Sequence, residues 1–247
     1  MCTLSFYPKK NGEIIFTFNR DEQPSRSSVE VIYDEKQGIL YPKDKLHNGT
    51  WLTADAQRKR IVCLLNGAFF KHERQLPYRK SRGLVVLDSL KYDKIDDFFT
   101  NYDFTNIEPF TMIVWEQNSL FCFRWDGENK HIEMPETNQM QVWSSCTLYD
   151  ETVQIIRKKW FTDWQNTYKS IEFSPAALWH FHQIGGAYDL ENALKMARVS
   201  GVETVSTTQI IISKTKIKFH YYEFKNDANH SRNLNFEPQY SAADLYN

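Results

Sequence analysis

The succession of extended and helical segments constrains the fold of this chain more strongly than any other feature of its sequence. Side chains alternate in polarity over residues 2–7, a second β-like run covers 14–20, and the turn sequence PKKNGE separates the two. Two such runs joined by a short turn are typical of a β-hairpin. Extended runs follow at 29–34, 49–55 and 60–67, so we expect the chain to begin as antiparallel sheet.

Helical and extended patterns then alternate over the rest of the chain. Apolar residues recur at helical spacing between Ser81 and Tyr102, which predicts two consecutive helices. The sequence over 110–125 predicts a hairpin that turns at Gln117-Asn118, and the runs HIEM and MQVWSS predict two shorter strands. Further on, the sequence predicts helices over 150–165, 174–184 and 189–201, a hairpin of VSTTQIIIS and KIKFHYYEF, and a polar tail from about 226 that is poorly ordered or laid on the surface.

The predicted helix over 150–165 has a well-defined pattern. Asp150 is placed to cap its first turn, because an Asp side chain can accept hydrogen bonds from the free amides there. One apolar stripe runs along this helix and is expected to face the core; it consists of Val153, Ile156, Trp160 and Trp164.

These segments indicate an α+β fold. Strands come first, then helices, then strands and helices again, then a final hairpin, and two antiparallel sheets covered by helices would satisfy this order. The 247 residues contain no low-complexity linker, Pro-rich hinge or internal repeat. We therefore expect a single domain over residues 1–247.

Composition excludes several classes of function. The formal net charge is -1, so no global charge favours binding to nucleic acid or to an anionic membrane. No apolar run reaches transmembrane length. The four cysteines are far apart without a Cys-x-x-Cys pair, and His180 and His182 fall on different faces of a predicted helix. We expect a soluble, cytoplasmic protein without a metal site or cofactor and without stable membrane insertion.

The second residue of the chain is a candidate nucleophile. If Met1 is removed, Cys2 carries both a thiol and a free α-amine, which is a nucleophile with its own base. An α-amine titrates near ~7.7 to 8, so it can accept a proton at neutral pH. The alternative is that Met1 stays, or that Cys2 only fills an edge of the core.

The block Asn-Arg-Asp-Glu ends the second predicted strand, and the hairpin would bring it next to Cys2. Arg20 could lower the pKa of the thiol, and Asp21 could hold the α-amine by an ion pair. Asn19 in the same block is a candidate substrate-binding residue. The alternative is that Arg20 and Asp21 are solvated charges at a strand end. Asn66, at the end of IVCLLNG, could donate to an oxyanion or could simply form an Asn-Gly turn.

Two further segments could line a binding pocket. The sequence SRG at 81–83 could begin a helix that binds an anion with the help of Arg82, or could simply cap that helix. The hydroxyl-rich STTQ at 206–209 could place Thr207 in a pocket or on a solvated sheet face.

Several of these motifs occur in the same order in a known family. The segments MCTLSFYP, FNRDE, GTWL and SRG match it in order and spacing, and TTQIIIS and YYEF are similar to its C-terminal strands. On these residues the chain resembles the NRDE proteins, the transport and Golgi organisation protein 2 family, whose members are linked to haem trafficking and acyl-lipid metabolism. The resemblance implies the fold of N-terminal nucleophile hydrolases, a four-layer αββα sandwich.

The resemblance also implies roles for individual residues. Cysteine amidases of the bile-salt-hydrolase and penicillin-V-acylase type begin with Met-Cys, carry an Asp that matches Asp21, and have an Arg near the position of Arg20. Their Leu-Asn segment resembles LLNG, which makes Asn66 the oxyanion donor by resemblance. Ser145 stands where they have a second oxyanion Asn, and Val205 where they have an Arg. One lost oxyanion donor can lower a rate by ~10²-fold or more.

Two functions follow from these residues and the resemblance. The first is cleavage of the C–N bond of a small acyl-amide substrate through a thioester. Its catalytic residues would be Cys2, Arg20, Asp21 and Asn66, and its substrate-binding residues would be Asn19, Arg82, Ser145 and Thr207. The second is a carrier of a hydrophobic small molecule, such as haem or an acyl thioester, on the same fold.

Overall fold

The chain forms two antiparallel β-sheets flanked by helices, which confirms the predicted α+β class. The computed structural model describes residues 2–27, 30–168 and 171–236. Its strands are β1 Cys2–Pro8, β2 Ile14–Glu22, β3 Val31–Asp34, β4 Ile39–Pro42, β5 Leu52–Asp55, β6 Arg60–Asn66, β7 Phe110–Glu116, β8 Ser119–Trp125, β9 Lys130–Glu133, β10 Gln141–Ser144, β11 Glu203–Ile212, β12 Lys216–Glu223 and β13 Ala228–Asn235. Its α-helices are α1 Arg82–Ser89, α2 Ile95–Asn101, α3 Glu151–Thr167 and α4 Pro175–Ile184.

The sheets and helices form four layers in the predicted αββα order. One sheet has six strands in the order β10-β1-β2-β11-β12-β13, and the other has seven strands running from β3 to β9 in sequence order. Helices α3 and α4 pack on the six-stranded sheet, and α1 packs on β6 of the seven-stranded sheet. The largest hydrophobic core contains side chains of both sheets. Among the described residues, no helix has the length and apolar character needed to cross a membrane.

Alternation along β1 and β2 separates two environments. Leu4, Phe16 and Phe18 are buried in the core between the sheets. Their neighbours point to the other face, where Ile15 packs against the helical layer and the polar side chain of Ser5 is also buried. Successive side chains of a strand point to opposite faces, so the period of two assigns each residue of these strands to one layer.

Most of the predicted elements are confirmed. The opening hairpin, the pair of helices after residue 81, the hairpin over 110–125 and the last hairpin are all present. Gln117 and Asn118 have positive φ angles in their turn, and the side chains of Asp150 and Ser174 cap α3 and α4. Strand β4 was not predicted. The start of the strand predicted over 29–34 lies partly outside the described residues.

The helix predicted over 189–201 is wrong, because this segment is a series of turns. Its backbone carbonyls bond to side chains instead of forming helical hydrogen bonds. Arg157 donates to the carbonyls of Asn192 and Ala193, and the side-chain amide of Asn19 donates to the carbonyl of Leu194 at 2.8 Å. Contacts distant in sequence therefore override the local helical pattern.

Two other predictions need correction. A surface tail does not begin at residue 226, because Ala228–Asn235 pairs with β12 as the edge strand of the six-stranded sheet and buries Leu234. Residues from 237 onward lie outside the described residues.

Helix α3 buries Arg157 and Phe161, while Ile156 of the predicted stripe is exposed. Trp160 and Trp164 of the stripe do pack against the core of the helical layer, so the predicted stripe is confirmed in part. The buried Arg157 was not predicted, because an apolar pattern does not include an arginine.

A buried histidine joins α4 to the first strand. Nε2 of His182 lies 2.7 Å from the hydroxyl oxygen of Ser5, and the imidazole is fully buried. Burial lowers the pKa of His182 to about 3, and the charge of Arg157 acts in the same direction. The folded protein therefore keeps this side chain neutral at pH values where an exposed histidine is charged.

This histidine makes the stability depend on pH. Its pKa in the unfolded chain is about 6.5, so its contribution to stability is fully present above that pH and is lost as the pH falls towards 3. Lowering the pH from 7 to 5 should cost the wild type about 2 kcal/mol through His182 alone. Urea unfolding at both pH values should show this loss in the wild type but not in His182→Gln. The glutamine can still form a hydrogen bond with Ser5 but does not titrate. Equal pH dependence in the two proteins would contradict it.

Candidate functional site

A cavity of about 460 Å³ opens where the first residue of β1 meets the ends of β2 and β6. Four residues that the sequence singled out line it: Cys2, Arg20, Asn66 and Arg82. Its volume is within the range of small-molecule sites. The other predicted site residues, Asn19, Asp21, Ser145 and Thr207, do not line this cavity.

Cys2 is held at the start of β1 by both of its neighbouring strands. It pairs with Arg20 of β2, and its carbonyl accepts a hydrogen bond from the amide of Ser145 at 3.0 Å. The side chain is almost completely buried. Burial raises the pKa of the Cys2 thiol; the negative charge of Asp21 adds to this effect, and Arg20 opposes it. The sequence predicted a lowered pKa, but desolvation outweighs the effect of Arg20. The thiol is therefore protonated at neutral pH.

The Asn-Arg-Asp-Glu block is divided between two faces of β2. Arg20 and Glu22 line the cavity. Asn19 and Asp21 bond to groups of the helical layer and to β11 on the other face. The period of two explains this division, since adjacent residues of a strand cannot point into the same cleft.

Arg20 is fixed by three different contacts. Its guanidinium donates to a carboxylate oxygen of Asp44 at 2.9 Å and to the carbonyl of Arg26 at 2.7 Å, and it stacks on the ring of Trp51 at 3.9 Å. Arg26 pairs in turn with Asp44 and Glu22. Arg20 is thus a rigid cation at the wall of the cavity, beside Cys2.

Asp21 belongs to a buried polar cluster behind the cavity. Its carboxylate accepts hydrogen bonds from the hydroxyls of Tyr149 at 2.7 Å and Thr204 at 2.6 Å. Burial raises the pKa of Asp21, although the positive charge of Arg157 and these two hydrogen bonds oppose the rise. Arg157 stacks on the ring of Tyr149 at 3.5 Å. Residues of α3, β11 and the segment before α3 therefore fix the position of Asp21.

Asn19 and Thr207 connect the sheet to the helical layer. The amide of Asn19 donates to the carbonyls of His182 and Leu194, and its oxygen accepts from Thr207 at 2.9 Å. The Thr207 hydroxyl also accepts from Gln183. Both residues are completely buried, and these hydrogen bonds satisfy their polar groups, so neither residue needs a ligand as a partner.

Asn66 presents a free amide to the cavity. It ends β6 and is partly exposed, and its side chain forms no hydrogen bond with the described part of the chain. The next residue, Gly67, has a φ of +80°, and a Cβ there would lie 2.4 Å from the sulfur of Cys146. The turn that follows Asn66 therefore requires glycine.

Ser145 ties Asn66 to Cys2 rather than facing the cavity. Its amide donates to the carbonyl of Cys2, and its hydroxyl donates to the carbonyl of Asn66 at 2.7 Å. Val205 is buried beside an irregularity in β11 between Thr204 and Ser206. These two positions therefore supply neither an amide donor nor a cation to the cavity.

Arg82 also lines the cavity, from the first turn of α1. It pairs with Glu108 at 3.2 Å and donates to the carbonyl of Pro109 at 3.1 Å. Glu108 and Asp44 come from loops and gave no signal in the sequence. Glu22 could have been found, because alternation puts it on the same face as Arg20. Over the described ranges, no cluster of three or more His, Cys, Asp or Glu side chains is arranged to hold a metal ion.

Comparison with known proteins identifies the family. A family model described as Transport and Golgi organisation 2 matches residues 1–225, which include every residue of the site described above. No curated protein matches the chain significantly. The matched region begins with the MCTLSFYP and FNRDE segments that carried the resemblance in the sequence. The chain therefore belongs to the Transport and Golgi organisation 2 family.

Proposed function

We propose that this protein is an amidohydrolase that uses Cys2 as an N-terminal nucleophile, in the manner of N-terminal nucleophile hydrolases. The observation that supports this most directly is that Cys2, Arg20 and Asn66 line one cavity of small-molecule size. Cys2 is the first residue of β1, so removal of Met1 would leave its α-amine at the start of that strand.

The reaction assigns a task to each group. The Cys2 sulfur attacks the acyl carbon while the thiol proton passes to the α-amine. The C–N bond then breaks, and the leaving amine takes that proton. Water attacks the resulting thioester, which releases the carboxylic acid and restores the thiol. Because burial raises the pKa of Cys2, the thiol needs this base at neutral pH.

Three residues support these steps in the proposal. The free amide of Asn66 donates to the oxyanion that forms on the acyl oxygen. Arg20 stabilises the developing thiolate by its charge. Cys2 pairs with Arg20 in antiparallel register, so the amine at the start of β1 is directed towards the Asp21 end of β2, where the carboxylate can hold it.

A second candidate is a carrier of a hydrophobic small molecule, such as haem or an acyl thioester. It is favoured by the raised pKa of Cys2 and by Ser145, which gives the cavity no second amide donor. In this case the cavity would hold the ligand without forming a bond to sulfur, and Cys2 would be a buried wall residue.

Mass spectrometry separates the two candidates. We expect protein from a cell with methionine aminopeptidase to have lost Met1 completely. Rapid mixing with N-acyl amides and acyl thioesters, followed by an acid quench, should give an acyl adduct on the peptide that begins with Cys2. Retention of Met1, or an acyl group attached elsewhere, would contradict the hydrolase. Ligand binding without any adduct would favour the carrier.

A further inference from the structure

The cavity lining contains more positive than negative side chains. Five of its residues are cationic and three are anionic. The cations are Arg20, Arg26, Arg74, Lys80 and Arg82, and the anions are Glu22, Asp44 and Glu108. The ligand that the cavity attracts depends on which of these charges has no partner of opposite charge.

The charges on the Arg20 side of the cavity are balanced. Arg20 and Arg26 share Asp44, and Arg26 also pairs with Glu22 at 2.7 Å. Two cations thus face two carboxylates. Arg20 is held further by Trp51 and by a backbone carbonyl, so this side of the cavity has no excess of positive charge for an anionic ligand.

Lys80 pairs with a carboxylate that lies outside the cavity. Its ammonium group is 2.5 Å from Asp88 of α1, and Asp88 also pairs with the exposed Lys91. The charge of Lys80 is therefore only partly compensated, and it adds to the positive charge beside the start of α1.

The wall at the start of α1 is different. Arg82 and Arg74 both pair with Glu108, at 3.2 and 3.4 Å, and His72 lies 3.3 Å from the same carboxylate. Two guanidiniums share one carboxylate, so one positive charge is left over within the described residues. Burial lowers the pKa of Arg82, and Arg74 also acts to lower it, yet an arginine keeps its charge at neutral pH.

Ser81 gives an independent sign of a missing partner at this wall. Its hydroxyl oxygen is buried and has no hydrogen-bond partner among the described residues, although the residue lines the cavity. Ser81 precedes α1 without capping it through its side chain. The first turn of the helix also directs the positive end of its dipole to the same place.

We propose that the cavity selects substrates that carry an anionic group, a carboxylate or a phosphate, which binds to Arg82 and Ser81 while the scissile amide lies at Cys2. The position of the scissile amide at Cys2 rests on the proposed function, whereas the binding of the anion does not. Guanidinium groups hold both kinds of anion through paired hydrogen bonds. The proposed substrate class is therefore N-acyl amides that also carry a terminal anion, and the probes below place this anion on the acyl arm.

Three matched probes test this in the Cys2→Ala protein, where binding is measured without turnover. The probes are N-phenylglutaramate, the neutral N-phenylpentanamide and the phosphonate N-phenyl-4-phosphonobutanamide. Calorimetric titration should show that at least one anionic probe binds about tenfold or more tightly than the neutral one, since a hydrogen bond to a charged group contributes that much. The ratio of the two anionic probes shows whether carboxylate or phosphate is preferred.

Variants of the wall assign the effect to its residues. Arg82→Gln in the same background should remove the preference for the anion, and Ser81→Ala should reduce it a few-fold. Arg58→Gln is the control, because Arg58 also pairs with a buried carboxylate, that of Asp55, but does not line this cavity. Thermal unfolding confirms that each variant is folded, and Ser81→Ala removes only an unpartnered hydroxyl.

The results separate this proposal from the proposed function. Anion-selective binding without hydrolysis by the wild type would keep the anion site and reject the hydrolase. If neutral and anionic amides bind equally well and are hydrolysed at equal rates, the hydrolase is kept and the anion site is rejected. The anion site is also rejected if no probe binds to folded protein, or if Arg82→Gln weakens all three probes equally.

Discussion

Replacing Cys2 by alanine is expected to lower the rate of amide cleavage by at least about 10³-fold, because the variant has no group that can form the thioester. The α-amine, Arg20 and Asn66 remain in place, so any remaining rate measures what binding and the oxyanion donor achieve alone. Release of the amine product, followed at substrate concentrations above and below KM, measures the loss. The loss should appear in kcat rather than in KM.

Cys63→Ala is the matched control for this experiment. Cys63 is as buried as Cys2 and belongs to the same hydrophobic core, but it does not line the cavity. Both substitutions remove a buried sulfur, and each should cost stability of about 1 kcal/mol. Only Cys2→Ala should abolish turnover. If Cys2→Ala keeps turnover while Cys63→Ala loses it, the nucleophile has been misassigned.

The opening hairpin shows how much of the site the sequence could predict. Alternation and a short turn were sufficient to pair Cys2 with the Asn-Arg-Asp-Glu block, and the register confirms this with Cys2 opposite Arg20. The same alternation implies that Arg20 and Asp21 point to opposite faces. The hairpin places both residues near Cys2, but the strand period puts only Arg20 on the face of the cavity.

Other parts of the site depend on contacts between distant segments. Asp44 and Glu108 come from loops, and no local pattern shows that each is shared by two arginines. The segment 189–201 has a helical pattern, yet its carbonyls bond to Asn19 and Arg157 instead. A burial pattern counts apolar residues, so it cannot predict a fully buried arginine such as Arg157.

Arg157 organises the polar layer next to Cys2. Its guanidinium donates to the hydroxyl of Thr3, the residue after Cys2, and to the carbonyls of Asn192 and Ala193. It also stacks on Tyr149, whose hydroxyl donates to Asp21. The side chain is completely buried. One residue of α3 therefore supports β1, the turns after α4 and the Asp21 carboxylate.

Arg157→Met is expected to lower the free energy of unfolding by about 3–5 kcal/mol, since it leaves buried acceptors without donors and removes the cation that opposes the raised pKa of Asp21. Methionine keeps the packing of the side-chain stem, so the loss reports mainly on polar contacts. Urea unfolding at pH 7 measures it. Lys159→Met is the control on the same helix, because Lys159 is exposed and, among the described residues, forms an ion pair only with Asp163. This substitution should change stability by less than about 0.5 kcal/mol. Equal effects of the two substitutions would show that Arg157 is not the centre of this layer, and the Asp21 cluster would then have to be stable without it.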